Sequence, residues 1–130
     1  MLRLLNVYFP DVSISNRDEL MSDCCSQIES YVCGNGSMSI VIGGDFNCEF
    51  YNGVTCCPDL NSFILDNDLC CCDSKFTSDV NYTYCHESRN CRSWIDHFLV
   101  TQNMMDKVAD AEIIQSGNNL SDHSPNMDRV

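Results

Sequence analysis

Basic residues are scarce in this chain: 7 Lys and Arg stand against 19 Asp and Glu over 130 residues, a formal net charge of -12. Such a field repels phosphate backbones, which excludes a clamp that grips nucleic acid through basic side chains alone. Long apolar runs are missing too. Stretches such as Ile40-Val41-Ile42 are strand-sized, far short of the roughly 20 residues that a membrane-spanning helix needs, so no membrane contact is expected. No secretion signal is found either: Arg3 and Asn6 interrupt the apolar residues of Met1 to Tyr8, and no small-residue cleavage site follows. Without a signal, the sequons at Asn35, Asn81 and Asn119 carry no weight. These absences predict an intracellular chain, nuclear or cytoplasmic and not secreted. Its length and 44% hydrophobic content suit one domain over residues 1–130.

Cysteine is plentiful, with eleven residues, but the spacings that would give it a covalent or metal role are absent. The count is odd, and adjacent runs (Cys24-Cys25, Cys56-Cys57, Cys70-Cys71-Cys72) do not bridge internally within normal disulfide geometry. No CxxC pair occurs, and Cys85-His86 with Cys91 lacks the paired spacing of structural zinc sites. The thiols therefore read as small buried apolar side chains in a reducing compartment.

Apolar periodicity organises what is present. Leu2 to Tyr8 reads as a strand that Pro10, Asp11 and the polar run Ser13 to Asn16 bring to an end. A helix follows, with Leu20, Cys24, Ile28 and Tyr31 inward and Met21, Cys25 and Val32 alongside. Ser15 or Asn16 is its cap and Gly34-Asn35-Gly36 its stop. Ser39 to Ile42 is a buried strand that delivers Asp45 beyond its end. Pro58 to Leu65 reads as a shorter helix with Leu60, Phe63 and Ile64 inward and Pro58 in its first turn. Strands are predicted over Leu69 to Cys72, Tyr82 to Tyr84, Ser93 to Val100 and Val108 to Ile114, with a helical turn at Asn103 to Asp106 and a loop from Gln115 to Leu120. Alternating strands and helices indicate an α/β sandwich.

Polar residues gather at the strand ends: Tyr8, Asp45 with Asn47, Asp96, and Asp122 with His123. In Gly43-Gly44-Asp45-Phe46-Asn47 the glycines allow a sharp backbone turn that aims a carboxylate into a cleft. A carboxylate beside a carboxamide suits a water nucleophile next to a phosphate, one group orienting the water and the other donating to a phosphoryl oxygen. Asp96 lies within an apolar strand and needs a partner; His123 is the candidate, held through one imidazole nitrogen with the other aimed at a substrate oxygen. Asp122 beside it suits a metal or its water. Each of these taken singly reads as an ordinary surface residue of an acidic protein.

Val7-Tyr8-Phe9-Pro10, Gly44-Asp45-Phe46-Asn47, Tyr82-Thr83-Tyr84, Ser93-Trp94-Ile95-Asp96-His97 and Ser121-Asp122-His123-Ser124-Pro125 together, in order and spacing, resemble successive motifs of the endonuclease/exonuclease/phosphatase superfamily with its DNase I-like fold. Within it the chain most resembles the apurinic-type endonuclease domain of non-LTR (LINE-type) retrotransposons. The resemblance implies an α/β chain forming part of a four-layer α/β/β/α sandwich. It also implies Mg²⁺-assisted phosphodiester hydrolysis, with Mn²⁺ as the alternative ion, and DNA as the partner. Residue by residue, it implies that Tyr8 contacts the scissile phosphate or tunes the metal site, Asp45 aligns the attacking water and holds metal, and Asn47 binds phosphate. Thr83 and Ser93 would contact the nucleic-acid backbone, Asp96 would orient His123, and Asp122 would belong to the metal region. A reverse transcriptase is expected downstream in the parent protein.

The chain also departs from the pattern. The family's first half, which supplies an early asparagine and a metal-ligating glutamate, has no counterpart here, so the N-terminal half of the sandwich is expected to be missing. One apolar sheet face should then be left uncovered, or meet a partner chain, and catalysis should be impaired or absent. Asp11 stands where the retrotransposon enzymes tend to carry asparagine, and Asn126 and Asp128 interrupt an expected apolar closing strand. Two alternatives stay open: a phosphatase or lipid phosphodiesterase of the same fold, and a catalytically dead interaction module.

Overall fold

The computed structural model describes residues 1–33, 38–77, 79–115 and 121–129. Four strands form its central sheet: β1 (Leu2–Tyr8), β2 (Ser39–Asp45), β3 (Leu69–Cys71) and β6 (Asp96–Thr101), in the order β1-β2-β6-β3. β1 and β2 are parallel and joined through α1 (Arg17–Val32), whereas β6 runs antiparallel to both β2 and β3. Strand alternation gives the sheet two different faces. Leu5, Val7, Ile40, Ile42 and Leu99 pack with Met21 and Cys25 of α1 and with Leu60, Phe63 and Ile64 of α2 (Pro58–Asp66). At about 25 cal/mol per Å² of apolar surface removed from water, this core is the main stabilising element. On the opposite face, Met104 of α3 (Gln102–Met105) and Val108 cover Val100 at the β6 side. The β1 side of that face is open: Leu2 and Leu4 are 53% and 71% exposed. A cavity of about 400 Å³ runs over Leu4, Val41, Gly43 and Phe98.

Two small ribbons complete the fold. β4 (Tyr84–His86) pairs with β5 (Cys91–Ser93), and β7 (Asp110–Ile113) pairs with β8 (Asn126–Arg129). All eleven cysteines are free thiols. Burial pushes those of Cys25 and Cys48 up to about 12, so they stay protonated and pack as apolar groups. Cys33, Cys56 and Cys91 are exposed, so the expectation of burial holds for only part of the set. No described helix is long and apolar enough to cross a membrane.

Several predicted boundaries shift, each for a tertiary reason. Tyr31 is exposed, and the residues of α1 that pack on the core are Met21, Cys24, Cys25, Ile28 and Val32. Asn16 occupies the cap position without a side-chain cap hydrogen bond. The helix stop at 34–36 and most of the loop before Ser121 lie outside the described residues. Strand β4 begins at Tyr84, after Thr83. The predicted strand Ser93 to Val100 is two strands, separated at Trp94 and Ile95. The glycines of β2 make no sharp turn. A Cβ on Gly43 would stand 2.6 Å from the Phe98 ring, and one on Gly44, whose φ is +145°, would stand 2.0 Å from the Val7 carbonyl oxygen, so both serve close packing within the sheet. Asn126 does not disrupt the last strand; its Nδ2 donates to the Asp96 carbonyl at 3.0 Å.

Candidate active site

Sheet register builds the site. Tyr8 pairs with Asp45 and Asp45 with Asp96, so three chemistry-bearing residues stand side by side across β1, β2 and β6. Directly opposed residues share a face, here the face away from α1 and α2. Tyr8 at the edge is 75% exposed, while Asp45 and Asp96 are half-buried. The chain turns after Asp45, not before it. Asn47 adopts a left-handed backbone with φ +48°, its N–H donates to Asp45 Oδ1 at 2.8 Å, and its Nδ2 donates to the Phe9 carbonyl at 2.7 Å. Asparagine tolerates that conformation and bonds its own neighbourhood, which is the reason it suits the position. The Arg17 guanidinium donates to the Pro10 and Asn47 carbonyls at 3.3 and 3.1 Å, tying the two loops together.

His123 arrives from the other end of the chain. It forms a bridge with Tyr84, whose ring lies 5.1 Å away, and the adjacent Ser124 N–H donates to the Thr83 carbonyl at 2.6 Å. Nδ1 of His123 lies 2.9 Å from Asp96 Oδ2 and Nε2 lies 3.8 Å from Asp45 Oδ2. A carboxylate only accepts, so Nδ1 carries the proton of the first contact. The second is beyond hydrogen-bonding reach and acts electrostatically. Burial raises the Asp45 carboxyl above its ordinary value; Asp96 and Asp11 push the same way, against the Asn47 N–H and His123.

Thr83 positions this arrangement. It is fully buried, and its hydroxyl oxygen accepts from the N–H groups of Ile95 and Asp96, both at 3.1 Å. Its hydroxyl therefore anchors the backbone that carries Asp96, where the resemblance implied a contact with nucleic acid. Ser93 closes β5 opposite Tyr84 and accepts the Thr83 N–H through its carbonyl at 3.0 Å. Asp122 is not brought to the cluster. Asp45, Asp96 and His123 present ligand atoms within 4.8 Å of one another, whereas Asp122 is exposed and lines a cavity with Tyr82, His86 and Arg92. Its carbonyl accepts the Cys85 N–H at 2.9 Å.

Sequence reasoning overlooked three contributors. The Tyr84 ring against His123 was signalled by its motif but given no role. Arg17 had no signal beyond being a lone cation beside acidic loops. His97, next to Asp96, is 1% exposed, and its Nδ1 lies 3.0 Å from both carboxylate oxygens of Asp73.

The sequence model of a family described as endonuclease-reverse transcriptase matches residues 2–127. The chain belongs to this endonuclease-reverse transcriptase family. Solved structures agree on the fold, which is that of the endonuclease/exonuclease/phosphatase superfamily. The 3′ phosphatase NExo from Neisseria bound to product DNA hairpin is similar with a TM-score of 0.68 at 17% identity, over 98% of this chain and 60% of that one. A mannosyl-6-phosphatase of Bacteroides thetaiotaomicron gives 0.64 at 16% identity, over 95% and 48%. Beta toxin from Staphylococcus aureus gives 0.69 at 13% identity, over 98% and 52%. This family member thus spans about half to three-fifths of the length of these structures. No curated protein matches it.

Proposed function

We propose that the Asp45, Asp96 and His123 cluster hydrolyses phosphodiester bonds in DNA, as the endonuclease component of a retrotransposon-type protein that also carries a reverse transcriptase. The observation that carries this reading is the His123 ring, held on Asp96 at 2.9 Å with its other nitrogen turned toward Asp45. Asp96 keeps the imidazole in one orientation. Asp45 aligns the attacking water, and its raised affinity for a proton suits a group that takes one. Asn47 spends one N–H of Nδ2 on Phe9 and turns the second toward a phosphoryl oxygen without adding charge. Tyr8 reaches the same phosphate from the exposed edge.

The oxygen donors fit a hard divalent cation: carboxylate oxygens of Asp45 and Asp96 lie within 4.8 Å of each other, and Asp11 adds further negative charge near Asp45. Asp45 and Asp96 would hold Mg²⁺ or Mn²⁺, without Asp122. When bound, the ion supplies neutralising charge to the phosphate and the leaving oxygen. That also accounts for DNA binding by a chain of net charge -12. A DNA substrate implies an intracellular place of work, in nucleus or cytoplasm.

Nicking of supercoiled plasmid in Mg²⁺ tests the reading on the chain beside Asp45→Ala and His123→Ala. Slow nicking by the chain that falls at least about a hundredfold in both variants is expected. Equal rates in all three, or none in any, would remove the proposal. A phosphatase reading draws on the two solved phosphatases of this fold; release of inorganic phosphate from a 3′-phosphorylated oligonucleotide, with no nicking, would favour it.

A further inference from the structure

Asp96 and His97 are neighbours on β6, and the two-residue period of a strand sends them to opposite faces of the sheet. Asp96 joins the cluster already described. His97 points to the helix-covered side, where its ring is enclosed between Phe46 and Phe50. On that side Cys71 of β3 stands opposite Leu99, one strand over and diagonal to His97. The single turn Cys72–Lys75 then swings Asp73 against the imidazole. Cys71 Sγ, an Asp73 carboxylate oxygen and His97 Nδ1 all lie within 4.8 Å of one another.

We propose that Cys71, Asp73 and His97 form a second metal site, separate from Asp45, Asp96 and His123, that takes a borderline-soft divalent cation, Zn²⁺. Three observations support it independently of the nuclease reading. The first is the donor set. Thiolate, imidazole and carboxylate are zinc ligands, and three protein ligands with one open position define the accessible class of zinc site, whereas Mg²⁺ prefers oxygen alone. The second is orientation. His97 Nε2 lies 2.9 Å from the Cys48 carbonyl oxygen, which only accepts, so Nε2 carries a proton and Nδ1 is the nitrogen turned to the cation. A ligating histidine is held in the same manner by a carbonyl on its far nitrogen. The third is access. A cavity of about 500 Å³ is lined by Cys71 and Asp73 together with Phe50, Asn52, Gly53 and Ser74, which opens a route to the fourth position.

The charges close as well. A thiolate, a carboxylate and a divalent cation sum to zero around a buried neutral imidazole, the balance that an interior site needs. Without the cation, burial and the Asp73 carboxylate push the Cys71 thiol up, so it keeps its proton. Binding displaces the thiol proton, which leaves to solvent as the ion is taken up.

Cobalt titration of the chelator-stripped, reduced chain tests the site, because one thiolate on four-coordinate Co²⁺ gives a near-ultraviolet charge-transfer band with visible d–d bands that Zn²⁺ then abolishes. One equivalent should saturate the charge-transfer band. Cys71→Ser should lose the charge-transfer band, and Asp73→Asn should weaken Zn²⁺ at least about tenfold while far-ultraviolet circular dichroism stays unchanged. Cys33→Ser and Cys91→Ser, at exposed thiols, and Asp45→Asn should keep the charge-transfer band of the parent. A band that survives Cys71→Ser, or that is lost equally in Cys33→Ser, Cys91→Ser or Asp45→Asn, would overturn the assignment.

Discussion

Replacing Thr83 with valine preserves the shape of the side chain and deletes one oxygen atom. That oxygen accepts two backbone N–H groups, those of Ile95 and Asp96, at 3.1 Å each, from a residue with no exposed surface. A buried donor left without a partner costs about 1–3 kcal/mol, so the pair sets a range of roughly 2–6 kcal/mol. Ile95 and Asp96 are half-buried, and relaxation toward water places the expected loss at roughly 2–3 kcal/mol. With a urea slope of about 2 kcal/mol per M, the midpoint should fall by about 1–1.5 M at unchanged slope. Trp94, the single tryptophan, adjoins the affected segment and reports the transition by fluorescence. Thr83→Ser keeps the acceptor and should cost less than about 1 kcal/mol. If the valine and serine variants unfold at the same urea concentration, Thr83 is not the anchor of the Asp96 strand and the reasoning fails.

Three further substitutions, at two positions, probe the end of β2 and the loop that follows it. Asp45→Asn should raise the melting temperature at pH 7, by a gain of about 0.5–2 kcal/mol, while abolishing activity. Burial raises the Asp45 carboxyl, so the native state holds its proton more tightly than the unfolded chain does, and the ionised form costs stability at neutral pH. The gap between parent and variant should therefore narrow as the pH falls through the folded value of Asp45, and a gap that widens would contradict the burial argument. Asn47→Ala should destabilise by about 1–3 kcal/mol, through the left-handed backbone and the lost bond to Phe9. Asn47→Gly loses only the second of these, so denaturant midpoints should fall in the order asparagine, glycine, alanine.

The strands and the two main helices could be read locally because their apolar periods are set by which face meets the core. Pro58 marked the start of α2 for the same local reason, since a first-turn proline sacrifices no helical hydrogen bond. The face of α1 was less legible. Leu20, Cys24 and Tyr31 form as regular a stripe as Met21, Cys25 and Val32, and packing takes Cys24 from the first while it leaves Tyr31 exposed. The break before β6 had no signal at all. Ser93, Trp94 and Ile95 all suit a strand, and the interruption comes from the Thr83 hydroxyl taking N–H groups that a ladder would otherwise use.

By itself the sequence determined that Asp45 follows a buried strand, that Asp96 lies on another, and that the motifs in their order resemble those of a phosphoryl-hydrolysing superfamily, because strand periodicity and motif order are properties of the chain alone. Tertiary structure decided which neighbours share a pocket. Of Asp122 and His123 only the imidazole turns to Asp96, and of Asp96 and His97 only the carboxylate faces it, with His97 committed to Asp73 across the sheet. Residues adjacent along a chain carry the same local information. Their directions diverge only when pleat, register and distant hydrogen bonds are in place.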